Sequence, residues 1–198
     1  MIKEVKFNEL PDVKIKVRFN NAEDLVTAGK LGVLEVGYEL VTEDIDGVAV
    51  FEVADIRKKK IILCRKYLLK DERAMGAEGE LLTWLDNEYY ESLPTDLKEL
   101  MKARKDSMVF LPKEVEVFGE HVYSSEEEKG RQWEIFKRVK KRIRAFSAED
   151  EHSRWYWLAS PYVSTSTDFC AVNAAGAAGN TNASASHGVL PCFCLSLQ

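Results

Sequence analysis

The sequence predicts an α+β fold, with strands first, helices in the middle and a loop-rich β ending. Three observations carry this expectation. Val13, Ile15, Val17 and Phe19 alternate with Lys14, Lys16 and Arg18, which is the period of a half-buried strand. Leu81, Leu82, Trp84 and Leu85 recur at helical spacing among acidic residues. Across residues 158–198 the only charged side chain is Asp168, although the whole chain carries 28 Lys and Arg and 33 Asp and Glu.

That tail is unlike the rest. Between Ser164 and Gly188, 20 of 25 positions are Ala, Gly, Ser, Thr or Asn. Two apolar, aromatic or proline-bearing blocks hold the stretch at its ends, at residues 155–161 and 188–195. A flexible linker would not be pinned by core-like blocks on both sides. The expectation is a surface poor in large side chains, displayed on a rigid frame.

Size and composition bound the rest. At 198 residues with 45% hydrophobic content and four tryptophans, the chain can build one large domain with a real core. A net charge of −5 opposes wholesale nucleic-acid binding. No apolar run approaches the roughly 20 residues of a membrane span, so no membrane insertion is expected. The N-terminus lacks the apolar segment of a signal peptide. The expectation is synthesis in a cytoplasm, compatible with later incorporation into a virion. Cys64, Cys170, Cys192 and Cys194 lack the spacing of a zinc site and read as buried thiols packing as small hydrophobes.

The elements follow in order. Asn20 and Asn21 offer helix caps for a helix to about residue 30. Residues 31–40, 48–53 and 60–65 read as strands, with Asp46-Gly47 a turn before the second. Residues 78–90 read as a helix, and Pro94 opens another through residue 105, as proline is tolerated in a first turn. A short strand over 108–111 and a helical turn after Pro112 come next. Ser125 with Glu128 suggests a capping box for a helix reaching residue 146. Within that span, residues 137–144 hold six basic side chains of eight. They read as a solvated helix face, because no aromatics interleave them as in single-strand binders.

Several motifs then resemble a known family. They are Gly79-Glu-Leu-Leu-Thr-Trp-Leu-Asp-Asn-Glu-Tyr-Tyr, Met108-Val-Phe-Leu-Pro-Lys-Glu-Val, Trp155-Tyr-Trp-Leu-Ala-Ser-Pro and Gly188-Val-Leu-Pro-Cys-Phe-Cys-Leu. Together they resemble a domain family of bacteria and phages with a C-type lectin-like fold, related in architecture to formylglycine-generating enzymes. Some of its members resemble the variable proteins of diversity-generating retroelements. The resemblance spans residues 48–195. It implies a C-type lectin-like ligand-binding domain over residues 48–198. Residues 1–47 would then be an extension that packs on the domain or mediates oligomerisation. The basic residue usual in each closing block is Ala159 and Leu190 here, so any salt bridge made from those positions is absent.

The resemblance also implies a function. Variable proteins are diversified by changing adenines, chiefly in Asn codons, which yields neither Lys, Glu, Gln, Met nor Trp. Residues 158–195 contain none of those five. The expectation is a phage, prophage or bacterial display protein whose loops bind a protein or glycan receptor on a cell surface. The candidate ligand-binding residues are Tyr162, Ser164, Ser166, Asp168, Asn173, Ala174, Ala175, Ala177, Ala178, Asn180, Thr181, Ser184, Ser186 and His187. Trp84, Trp155, Trp157, Pro161, Gly176, Gly188 and Pro191 are the candidate frame, with Ala183 another backbone position.

Other chemistries are weaker. Lectin-type calcium needs several oxygen ligands, usually including carboxylates, and Asp168 is alone in the tail; neither metal nor cofactor is expected. Cys192 and Cys194 invite comparison with a formylglycine-generating-type oxidase. A reactive thiolate needs exposure near positive charge, however, and the tail holds no Lys or Arg. No catalytic residues are expected. The alternative to display is a fixed virion structural or assembly protein of the same fold.

Overall fold

The computed structural model describes residues 17–198. Strand β1 (Arg18–Phe19) and helix α1 (Ala22–Lys30) come first. The helix starts where the Asn21 side chain accepts the Asp24 N–H at 2.7 Å, capping a donor that the helix itself cannot satisfy. Positions 13–16 of the expected first strand lie outside the described residues. A meander of β2 (Glu39–Asp44), β3 (Gly47–Arg57) and β4 (Lys60–Arg65) follows. Then come β5 (Arg73–Ala74), helix α2 (Glu80–Trp84) with a π-helical turn at Leu85–Tyr89, and α3 (Thr95–Leu100). Strand β6 (Val109–Phe110) and helix α4 (Glu114–Phe118) precede the tail. The tail itself forms β7 (Tyr156–Pro161), β8 (Asp168–Val172), β9 (Ala178–Asn182), β10 (Ser186–His187) and β11 (Cys192–Ser196).

The architecture is mixed α and β. The largest sheet runs β1-β2-β3-β4-β11-β6, so the closing strand inserts between two earlier ones. A three-stranded sheet β7-β8-β9 and a small β5-β10 pair complete the strand framework of the described residues. Strand parity then divides the interior. Ile61, Leu63, Phe193, Leu195, Trp157, Phe169 and Ala171 face one apolar cluster, which includes Leu25, Leu40 and Phe51. Ile62, Cys64, Cys192, Cys194, Tyr156, Leu158, Cys170 and Val172 face a second, with Trp133 and Phe136. Strands buried on both faces read as continuous apolar runs, which is why the closing block is hydrophobic throughout.

Buried charges join the elements. Asp44 accepts from Arg65 Nε at 2.8 Å and from the Tyr89 hydroxyl at 2.7 Å. Arg65 also donates to Asp46 and to the Leu68 carbonyl, so the guanidinium is well satisfied. Burial, with the Asp44 carboxylate alongside, pushes the Tyr89 hydroxyl well above its ordinary value, and it stays a donor. Glu114, fully buried, accepts the backbone N–H groups of Val122, Tyr123 and Ser124 and the Ser124 hydroxyl. That carboxylate folds the loop after α4 around itself.

Three expectations need correction. The strand expected over 31–40 is confined to Glu39 onward, because Gly32 and Gly37 adopt positive φ and Leu31 and Val33 project into solvent. The helix after Pro94 ends at Leu100, and the chain turns sharply at Lys105, a non-glycine residue with φ 56°. The helix expected over 125–146 is absent, and two short 3-10 turns, Glu134–Lys137 and Val139–Lys141, stand in its place. There the Ser125 hydroxyl accepts from the nearby Glu127 N–H, while the Trp133 N–H reaches across to the Glu116 carbonyl. Trp133, Ile135 and Phe136 are all buried, so the segment is held by its apolar contacts rather than by a continuous helix.

Asp44→Ala, which strips a buried guanidinium of its main carboxylate, is expected to cost about 3–5 kcal/mol in urea denaturation. Tyr89→Phe, which removes one hydrogen bond, is expected to cost about 1 kcal/mol in the same measurement. Equal small losses would contradict the network.

Candidate functional site

The candidate site is built on β8 and β9 and on the turns at their ends. In β8, Phe169, Cys170, Ala171 and Val172 are buried on alternating faces. Their partners across the ladder are Thr181, Asn180, Gly179 and Ala178 of β9, which has no further strand beyond it among the described residues. All fourteen candidate ligand-binding residues are partly or fully exposed, and none is buried. Between them lie buried Gly176, Gly179, Ala183 and Gly188.

The fourteen are not gathered into one patch. Tyr162, Ser164, Ser166, Asp168 and Ser184 cluster at one end of the sheet, where the Tyr162 N–H donates to the Asp168 carbonyl and the Ala183 N–H to the Thr167 carbonyl. Asn173, Ala174, Ala175 and Ala177 form the turn at the other end. Five-residue strands separate the ends by about 15 Å. Ala178, Asn180 and Thr181 run between them, and Thr181 lies 3.4 Å from His187 Nε2. The result is a strip along an edge strand with a loop at each end.

Several of these side chains hold backbone in place. Asn173 Oδ1 accepts from the Ala175 and Ala177 N–H groups and so closes its turn. Asn182 does the same for Ser184 through that residue's N–H and hydroxyl. Asp168 accepts from the Thr167 hydroxyl and the Asn182 amide, and the Tyr162 ring meets Tyr123 edge-on at 5.7 Å. The alanines and serines of the turns are free of such duties, save Ser184.

Two glycines are required by close approach. A Cβ on Gly176, already at φ +80°, would lie 2.9 Å from Ile143, so the turn rests directly on the 139–143 segment. A Cβ on Gly188 would lie 2.5 Å from Leu68. The Gly188 N–H and carbonyl bond to the Trp155 carbonyl and the Trp157 N–H, tying β7 to the closing block.

The aromatic frame differs in part from its expected role. Trp157 is fully buried and donates Nε1 to the Arg73 carbonyl at 2.7 Å. Trp155 shares its direction but is 37% exposed, with its ring over Gly179, where a Cβ would sit 2.8 Å from Cζ3. It stacks on His187 at 5.7 Å and 25°, and His187 meets Trp157 edge-on at 5.0 Å. Trp155 is therefore part of the surface as well as of the frame. Pro161 is exposed, Pro191 buried, and Trp84 half-buried under the Arg73 guanidinium at 3.7 Å. Sequence reasoning missed Gly179 and Arg73. The only signal was indirect, since a glycine inside a strand often marks a close approach.

Electrostatics leave the strip nearly neutral. Burial holds the His187 imidazole below its ordinary range, opposed weakly by Glu72, so it is neutral at physiological pH. The four thiols are free and buried. Burial pushes Cys192 and Cys194 up, while a hydrogen bond from Cys192 lowers Cys64 inside the core. Among the described residues no group of three or more His, Cys, Asp or Glu is placed to hold a metal ion, and no helix is long and apolar enough to cross a membrane.

Residues 103–197 match a family described as a domain of unknown function (DUF6273). No curated protein and no solved structure matches the chain.

Two outcomes are expected. Gly179→Ala should lift Trp155, raising its accessibility to acrylamide quenching, whereas Ala175→Asn should change stability by no more than about 0.5 kcal/mol. Acid should weaken the Trp155–His187–Trp157 stack. An unfolded imidazole takes up its proton near 6.5 while the folded one resists. Stability is thus lost as pH falls below that value and levels off once the folded ring is also protonated. His187→Asn should flatten this slope in urea midpoints measured across about pH 7 to 5.

Proposed function

We propose that the chain is a ligand-display protein of C-type lectin-like fold, diversified by a retroelement in a phage, prophage or bacterium. Its work is reversible recognition of a protein or glycan receptor through residues 162–187, without catalysis. The observation that carries this reading is the pattern of burial along the tail. Every candidate contact residue reaches solvent, and the interior between them is filled by other residues, chiefly Phe169, Cys170, Ala171, Val172 and Ala183. Side chains on such a strip can be exchanged without opening a cavity, which is what a diversified binding surface requires. The small residues present here make few contacts of their own, so Trp155, His187 and Tyr162 supply the larger apolar area.

The absence of Lys, Glu, Gln, Met and Trp from residues 158–195 supports diversification through adenines. Burial of all four thiols supports a non-enzymatic role, because a buried thiol in apolar surroundings is a poor nucleophile.

The test is to sequence the DNA beside the gene. A near-copy of the segment encoding residues 160–195, differing almost only where it carries adenines and adjoining a reverse-transcriptase frame, is the expected result. The altered codons should map to the exposed positions and spare Gly176, Gly179 and Gly188. Identical tails in every related copy, with no such template, would replace display with a fixed virion-assembly role.

A further inference from the structure

The basic run over residues 137–144 does not form a solvated helix face. The chain turns inward, and Lys141 and Arg144 both pair with Glu52 of β3. The Arg144 side chain is only 4% exposed and donates to Glu52 at 2.9 Å and to the Lys66 carbonyl at 2.7 Å. Lys66, just beyond β4, reaches Glu39 at 2.8 Å. These groups and Lys140 surround a hollow of about 400 Å³ whose wall also includes Tyr67. Four cations line it with one carboxylate, Glu52, and the buried Glu39 carboxylate behind Lys66 offsets one further charge.

That carboxylate does not neutralise by protonation. Burial acts to raise its affinity for a proton, but Arg144 and Lys141 overcome this and hold it ionised. The hollow therefore keeps a positive excess at neutral pH. Arg144 Nε, shut away from water, has no hydrogen-bond partner. Lys140 is exposed, and its ammonium makes no ion pair within 4 Å among the described residues. A solvated surface seldom collects so much charge of one sign in a concavity with a buried guanidinium at its base.

We propose that this hollow binds a small phosphate dianion, free or as a phosphomonoester, through Lys66, Lys140 and Lys141 above the buried Arg144. Ammonium groups grip phosphate oxygens as point charges, and the guanidinium beneath adds a fixed charge that needs no reorganisation. An extended polyanion fits less well, because Glu149, Asp150 and Glu151 directly follow the lining residues Ser147 and Ala148 in the chain, and the whole chain carries −5. This site does not depend on the display reading and lies on residues outside the tail.

The test is calorimetric titration of the full chain with inorganic phosphate, ribose 5-phosphate and single-stranded oligothymidylate, each against sodium chloride of equal ionic strength. Saturable binding of either small phosphate is expected, and the tighter of the two identifies free ion or ester. Lys140→Gln and Lys66→Gln should each weaken it about tenfold, the loss of one charge-assisted hydrogen bond. Near-UV circular dichroism should stay unchanged in Lys140→Gln, whose side chain supports nothing else. No heat beyond that of chloride, an affinity in both variants unchanged from that of the unaltered chain, or binding of the oligonucleotide alone would each overturn the proposal.

Discussion

The structure depends on the insertion of its last strand, β11, between β4 and β6. Cys192 to Ser196 pair with residues 60–64 on one side, and Cys192 and Phe193 pair with β6 on the other. The strand is buried on both faces, so Phe193 and Leu195 complete one apolar cluster while Cys192 and Cys194 complete the other. Neither cluster can close before the end of the chain arrives. The same insertion fixes both ends of the small-residue tail, since β7 enters it and β11 leaves it as core.

That anchoring explains how a segment so poor in large side chains stays ordered. Small residues contribute little burial and lose much freedom on folding, so a stretch like 164–188 would not hold a shape alone. Here the apolar residues of β8 face both clusters, and Asn173 and Asn182 close the turns from within. The alanines and serines exposed in the turns, Ser184 apart, then carry little structural load. Close approaches at Gly176, Gly179 and Gly188 mark where that freedom stops.

Charge is handled in a complementary way. The strip is nearly without it, whereas Asp44–Arg65, Glu114 and Glu52–Arg144 place carboxylates deep between elements. Asp44 and Glu52 join segments far apart in sequence, through Arg65 and Arg144, while Glu114 closes the loop that follows it through Ser124. Removing one partner would strand the other, so these groups favour one arrangement of the chain over its alternatives.

Much of this was legible in the residues. The capped helix at Ala22–Lys30, the strand Lys60–Arg65, the apolar closing strand and the exposure of many, though not all, of the tail's small residues follow from local period and composition. These are properties of neighbours in sequence, and short-range patterning encodes them directly. The fate of residues 125–146 was not legible, because Trp133, Arg144 and the basic run take their direction from Glu116, Glu52 and Lys66, far away along the chain. The exposure of Trp155 beside a buried Trp157, and the need for Gly179 beneath it, likewise arise only when β9 is laid against β8. The sequence by itself determined which residues are apolar, small or charged and with what period. Tertiary structure alone decided which of them meet, because pairing across strands is set by register and long-range burial rather than by any local preference.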